Sequence, residues 1–269
     1  MKVTSYLNLN FEEEPYTERV ELAAGAGVDG IELYGWDLGM DSVETLGGPF
    51  ADREFDLHEV ADVIHDHGLA FVYMSGNRPP LTDPDRSGDC IESIVRSLEL
   101  ADEVGCERVN VKAGPIQTGM TIQEQRRAVI DVLKRVAPTV ADSDTTLVLE
   151  PINHLDDPTQ FAHTARDGYE LLDAVDSPDI KLLLDLYHEQ RSRGNIIENV
   201  RENTTTYVSH FHAADPPSRG QPGTGELNWE HILEAIDETG YDEFIGGEFI
   251  PIGDPVEAIE SLVELGHSI

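Results

Sequence analysis

Lysine is scarce in this chain. Lys2, Lys112, Lys134 and Lys181 are the only four among 269 residues, and 18 basic side chains stand against 53 acidic ones for a formal net charge of −35. A surface that poor in cations argues against DNA or RNA as a partner, because holding a polyanion relies on Lys and Arg contacts to phosphate. No run of ~18 apolar residues occurs, which argues against a membrane-spanning helix. The first residues, MKVTSYLNLNF, carry one Lys and lack the apolar centre and small-residue cleavage site of a secretory leader, so the expected location is the cytoplasm. Two cysteines, Cys90 and Cys106, make neither a disulfide framework nor a metal knuckle and read as small helix residues in a reducing compartment. No linker rich in Ser, Pro or Gly, no low-complexity segment and no charge block divides the chain, so one domain over residues 1–269 is expected.

The acid excess does not signal disorder, because the hydrophobic fraction of 39% is too high and too well patterned. Charge of this size repels itself at low salt and keeps a protein soluble at high salt. The hypothesis that follows is a halophilic enzyme in a salt-rich cytoplasm, where ~1 M salt shortens the Debye length to ~3 Å. A protein that keeps its fold and full activity in dilute buffer contradicts it.

Short apolar, β-rich runs recur along the chain: VTSYLNL (3–9), GIELY (30–34), LAFVYM (69–74), RVNVKA (108–113), TLVLE (146–150), IKLLLD (180–185), YVSHFHA (207–213) and FIGGEF (244–249). Between them, residues 15–26, 56–67, 87–104, 121–140, 160–175, 194–203, 228–239 and 254–266 place apolar side chains at helical spacing with acids on the other face. Gly27, Gly68, Gly105 and Gly240 follow four of these segments, as helix C-caps do. Eight strand–helix repeats match a (β/α)8 TIM barrel. The competing doubly wound sheet is weakened because NLNFEEEPY, after the first run, has no glycine for a phosphate loop. Two longer strand-to-helix loops, 34–55 and 75–86, are expected to shape or cover a site.

In a barrel, catalytic groups sit where strands end. The fifth run ends in Glu150, the sixth in Asp185 with His188 just beyond, the seventh carries His210, His212 and Asp215, and the eighth ends in Glu248. Glu150, Asp185, His212 and Glu248 follow at intervals of 35, 27 and 36 residues, one strand–helix unit each. Neighbouring strands lie ~4.8 Å apart, so the four groups should converge. Clustered carboxylates repel one another unless a divalent cation sits among them. Carboxylate oxygens with one imidazole suit Mn2+, Mg2+ or Co2+, and Zn2+ less exclusively. His210 points to the same face as His212 but deeper, and is expected to be a satisfied buried histidine or a group supporting the ligands from behind. His188 falls in the loop beyond its strand, placed to touch substrate.

LEPINHLDDP (149–158), LLLDLYHEQRSRGNIIENVR (182–201), HFHAADPPSRGQPGTGELNW (210–229) and GYDEFIGGEFIP (240–251) closely resemble the hydroxypyruvate isomerase family. That family belongs to the xylose isomerase-like TIM barrels, with the ketose 3-epimerases as close relatives. The resemblance covers essentially the whole chain, is strongest over 146–251 and loose before 75. PGTGE (222–226) and the GGE ending of the eighth run are its most specific marks.

The resemblance implies that Glu150, Asp185, His212 and Glu248 hold a divalent cation and that Glu150 and Glu248 are an acid–base pair. His188 and Arg219 would hold substrate oxygens, and Asp156 falls where the epimerases have an acidic substrate contact. The implied reaction is isomerisation of a small 2-hydroxy carbonyl compound through an enediolate, hydroxypyruvate to tartronate semialdehyde. The alternative is a ketose 3-epimerase or a related sugar or inosose isomerase. His212 stands where hydroxypyruvate isomerases usually have Gln and epimerases have His, Glu189 stands where many isomerases have Met, and Lys112 matches no role. A zinc-dependent apurinic endonuclease shares the barrel but needs histidines after the third and fourth runs, where Met74–Ser75 and Val111–Lys112 stand instead. The expected partner is a small molecule. Relatives are often dimers or tetramers, so a homo-oligomer stays open, and no residue pattern marks an interface.

Overall fold

The structure, a computed structural model, describes residues 1–34, 56–76 and 79–269. Eight strands close into a parallel barrel in chain order: β1 (Lys2–Tyr6), β2 (Gly30–Leu33), β3 (Ala70–Ser75), β4 (Arg108–Val111), β5 (Thr146–Leu149), β6 (Ile180–Asp185), β7 (Val208–His212) and β8 (Phe244–Gly247). The ring closes where β1 pairs with β8, Lys2 opposite Phe244 and Ser5 opposite Gly247. Around it run α1 (Leu7–Asn10), α2 (Tyr16–Gly25), α3 (Leu57–Asp66), α4 (Ser87–Val104), α5 (Ile122–Ala141), α6 (Ala165–Val175), α7 (Leu186–Ser192), α8 (Ile196–Tyr207), α9 (Trp229–Asp237) and α10 (Pro255–His267). Closure sets aside the doubly wound sheet. Of the two long loops, residues 35–55 and 77–78 lie outside the described residues.

The strands are buried on both faces, as parallel strands covered by helices must be. Val109, Leu147, Leu182, Phe211 and Ile245 are fully buried and belong to one continuous core with Val132, Leu172, Ile232 and Ile259 from the helices. Removing such a side chain from water contributes ~1.5–3 kcal/mol each. A smaller cluster, Tyr6, Leu9, Tyr73, Val148 and Leu183, packs separately from it.

Local signals fix the helix ends. Thr121 and Thr164 form capping boxes with Glu124 and Asp167. Gly27, Gly68, Gly105 and Gly240 all take positive φ after helices, as their placement implied.

Three expectations are corrected. The first apolar run stops being a strand at Tyr6, and Leu7–Asn10 turns into α1. Cys106 lies beyond the end of α4, bridged to Phe71, rather than inside a helix. His188 is not in a loop: Asp185 Oδ1 accepts from the backbone N–H groups of Tyr187 at 2.8 Å and His188 at 3.0 Å, and that cap starts α7 immediately after β6. Strand register shifts between Ile31 and Glu32 in the β2–β3 ladder and between Leu182 and Leu183 in the β6–β7 ladder, beside two residues of the site. Such irregularities re-aim side chains. Among the described residues, no helix is long and apolar enough to cross a membrane.

Candidate active site

At the C-terminal mouth of the barrel, Glu150, Asp185, His212 and Glu248 each offer a ligand atom, and these atoms lie within 4.8 Å of one another. All four residues are buried. His212 Nδ1 is 2.9 Å from Glu248 Oε2. Arg219 brings a guanidinium to the same place, Nη2 lying 2.7 Å from Glu248 Oε2 and 3.5 Å from Asp185 Oδ2. His188 Nε2 is also 3.5 Å from Asp185 Oδ2. Residues 20–265 match the description of xylose isomerase-like TIM barrels. The chain belongs to that family.

Among relatives, the chain is 26% identical to the hydroxypyruvate isomerase of Escherichia coli (strain K12) over 254 residues, 93% of this chain and 94% of that one. It is 24% identical to the 2-oxo-tetronate isomerase of Haemophilus influenzae over 267 residues, 96% and 97% of the two chains. Among solved structures, a family 2 AP endonuclease from Brucella melitensis superposes with a TM-score of 0.85 at 23% identity, 98% of each chain covered, which is a likeness of fold. The chain is an enzyme of the isomerase type.

The xylose isomerase-like barrel here supports its four convergent groups from inside. Glu32 on β2 reaches across the barrel to β7. Its Oε2 is 2.7 Å from His212 Nε2 and its Oε1 is 2.9 Å from His210 Nε2, and Oε1 also accepts from Thr4 Oγ1. β2 and β7 are not neighbours in the ring, so these contacts cross the interior. Gly246 makes the crossing feasible, since a Cβ there would sit 2.2 Å from Glu32 Oε1 and 2.8 Å from His212 Cδ2. Tyr6 and Tyr73 flank the His212 ring at centroid distances of 5.9 and 5.3 Å. A carboxylate hydrogen-bonded to one ring nitrogen fixes the orientation of the imidazole and leaves the other nitrogen facing the cluster. His210 is satisfied at Nε2 by Glu32, while its buried Nδ1 has no partner.

His188 has a defined tautomer. Asn153 Oδ1 accepts from the N–H groups of Leu155 and Asp156, both at 3.0 Å, so its amide nitrogen faces His188 Nδ1 at 2.6 Å. Nδ1 therefore accepts, and the proton sits on Nε2, toward the cluster. Burial first, and Arg219 second, hold the imidazole well below its ordinary pKa, so it is a neutral donor. Asp156 lies beside His188, 4.0 Å from Nδ1, but its carboxylate is engaged by Asn153 at 2.9 Å and Arg191 at 3.1 Å, away from the four-residue cluster.

Arg219 is aimed by its loop. It sits in the left-handed region at φ 57°, and its carbonyl accepts from Ile250 N at 2.8 Å. Asp215, which the sequence grouped with the strand-end acids, is spent on that loop instead: its carboxylate accepts from Gly223, Gly225 and Leu227 N–H groups at 3.0, 2.9 and 3.1 Å. Gly225 has no room for a Cβ, which would lie 2.0 Å from Pro216 O. The PGTGE motif is thus the loop that wraps Asp215.

The electrostatics suit a cation. Burial, reinforced by Glu248, pushes the Asp185 carboxyl up to about 8. Burial would raise Glu248 as well, but Arg219 and His212 outweigh it and hold Glu248 well below the usual carboxylate range. Burial would lower His212, and Glu32 and Glu248 outweigh that, raising its pKa well above the ordinary imidazole range. Glu150 Oε1 and Asp185 Oδ2 are buried atoms with no hydrogen-bond partner, while Glu150 Oε2 accepts from Asn110 Nδ2 at 3.0 Å. Two orphaned carboxylate oxygens beside an imidazole are a donor set that fits a divalent ion.

Glu32, Asn110 and Asn153 were missed in the sequence. For Glu32 the signal was present, a carboxylate inside the apolar run GIELY. For the two asparagines there was none, because their partners lie 40 and 35 residues away.

Proposed function

We propose that this chain is a metal-dependent isomerase of a small 2-hydroxy carbonyl compound, acting on hydroxypyruvate to give 2-hydroxy-3-oxopropanoate. The observation that carries the reading is the meeting of Glu150, Asp185, His212 and Glu248 within 4.8 Å at the barrel mouth. These four residues would hold one divalent cation, Mn2+, Mg2+ or Co2+ before Zn2+, and that ion would polarise the substrate oxygens so that a carbon-bound proton becomes acidic enough to move.

The remaining work falls to side chains. Glu150 and Glu248 stand just past the ends of β5 and β8, three strands apart, so they approach a bound substrate from different sides. One carboxylate takes a proton from C3 of hydroxypyruvate, leaving an enediolate; a carboxyl of the pair returns a proton to C2, and the hydroxyl proton passes from O3 to O2. His188, neutral and carrying its proton on Nε2, donates to a substrate oxygen. Arg219 holds Glu248 charged and orients an oxygen. Asp156 acts through His188 and Asn153 at the rim.

His212 favours a second reading, a ketose 3-epimerase on the same groups, in which the proton returns to the opposite face of one carbon. Proton NMR in D2O with added Mn2+ separates the two. Deuterium at C3 of hydroxypyruvate together with 2-hydroxy-3-oxopropanoate is the expected result. Exchange confined to C3 of a ketohexose moves the enzyme to the epimerases.

A further inference from the structure

Lys112 follows β4 directly and is one of four lysines in the chain. Its side chain is 31% exposed, and its Nζ lies 3.5 Å from Glu150 Oε2 and 5.6 Å from the Tyr34 ring centroid. Asn110, two residues earlier, points to the same side and already donates to Glu150 Oε2 at 3.0 Å. A contact of 3.5 Å is long for a charge-assisted hydrogen bond, which closes to ~2.7–2.9 Å when the pair is made for each other. Lys112 therefore leans toward Glu150 without being what satisfies it.

The substrate under the proposed reading sharpens the question. Hydroxypyruvate carries a carboxylate on the carbon next to the one that accepts the proton. It must enter a site that already holds Glu150, Asp185 and Glu248, and like charges at such distances disfavour it strongly. A cation has to receive it. Arg219 stands with Glu248 at 2.7 Å and Asp185 at 3.5 Å, on the β7–β8 side. Lys112 stands on the opposite flank, beside Glu150, partly exposed at the mouth. Under the isomerase reading, a three-carbon acid bound at the cluster would lie between these two cations, with its carboxylate toward β4.

We propose that Lys112 receives the substrate carboxylate, so that the barrel selects hydroxy-oxo acids over neutral hydroxy ketones of the same size. The inference rests on the isomerase reading for its reaction, and on the position of Lys112 for its ligand. It gives a part to a residue that the sequence left without one.

The test uses Lys112→Met, which keeps chain length and loses the charge, and Lys112→Arg, which keeps the charge, both checked for folding by circular dichroism. The substrates are hydroxypyruvate and dihydroxyacetone, which differ only in a carboxylate against a hydroxymethyl group. In Lys112→Met the preference for hydroxypyruvate, as a ratio of kcat/KM values, falls about 10- to 100-fold, carried by KM. Lys112→Arg restores most of it. A fall in kcat for both substrates at unchanged KM overturns the proposal and makes Lys112 a partner of Glu150 only.

The second readout needs no turnover: calorimetric binding of D-glycerate and glycerol, with and without Mn2+. Wild-type protein binds glycerate more tightly than glycerol, and Lys112→Met loses that difference. If wild-type protein turns over neither triose, the isomerase reading fails, and glycerate binding still decides. Loss of affinity in Lys112→Met supports a carboxylate seat; equal affinity in the two proteins, or no glycerate binding by wild type, overturns it.

Discussion

The two halves of the barrel divide the labour. Glu150, Asp185, His212 and Glu248, at or just past the ends of β5 to β8, meet in one cluster. β1 to β4 contribute Thr4, Glu32, Asn110 and the aromatic rings of Tyr6 and Tyr73, each touching one of those groups or its neighbour. Under the proposed function, one half would supply the reactive atoms and the other would aim them. Substitutions in the second half should therefore remove chemistry, and those in the first should weaken it while leaving it recognisable.

The largest effect expected is in the second half. Glu150→Gln should lower turnover by at least ~1000-fold, read by deuterium exchange, because it removes a proton-transfer group. Substantial residual exchange would take Glu150 out of the acid–base pair. Glu32→Gln tests the first half. It should weaken Mn2+ binding about 10- to 100-fold, measured by chelator competition, with the fold intact. Unchanged Mn2+ affinity would break the division proposed above. Gly246→Ala sharpens it from the packing side. The new Cβ falls 2.2 Å from Glu32 Oε1, so either Glu32 leaves His212 or the strand shifts. A loss of about 1–3 kcal/mol in urea denaturation is expected.

The smallest effect concerns a buried acid of the second half that lies outside the cluster. Glu189 is 5% exposed, accepts from Ala165 N at 2.8 Å, and is pushed by burial up to about 7. Its folded pKa exceeds its unfolded one, so its carboxyl favours the folded state at low pH. That contribution fades as pH rises from the ordinary glutamate range through about 7. Glu189→Met should therefore gain relative to wild type between pH 5 and pH 8, by about 1–2 kcal/mol after the lost hydrogen bond is counted. A pH-independent difference in melting would show that the carboxylate is comfortable where it is.

The same division explains what could be read from one sequence. All eight strands were visible because strands buried on both faces leave short runs rich in apolar and β-branched residues, each followed by a helical pattern. The four cluster residues were visible because each ends such a run. α1 was not, since LNLN continues the alternation of the strand before it. α7 was not, since Leu186–Ser192 looks like a polar loop unless Asp185 is recognised as a helix cap. Asn153 escaped because its importance lies in a partner 35 residues away. Glu32 meets His210 and His212 across 178 and 180 residues, and no local pattern states which side of β2 faces the barrel axis.

Asp185 is anchored at one end. Its Oδ1 is tied to two backbone N–H groups of α7, so turning the carboxylate would unwind the turn that carries His188. Under the proposed reading, Asp185 would offer an ion its free Oδ2. Ca2+, which gathers six to eight oxygens and often grips carboxylates with both, is poorly served by such a hinge, whereas a small ion content with near-octahedral company is not. If the proposed ion binds, the helix cap would act as a size filter, built from an interaction whose local purpose is only to begin a helix.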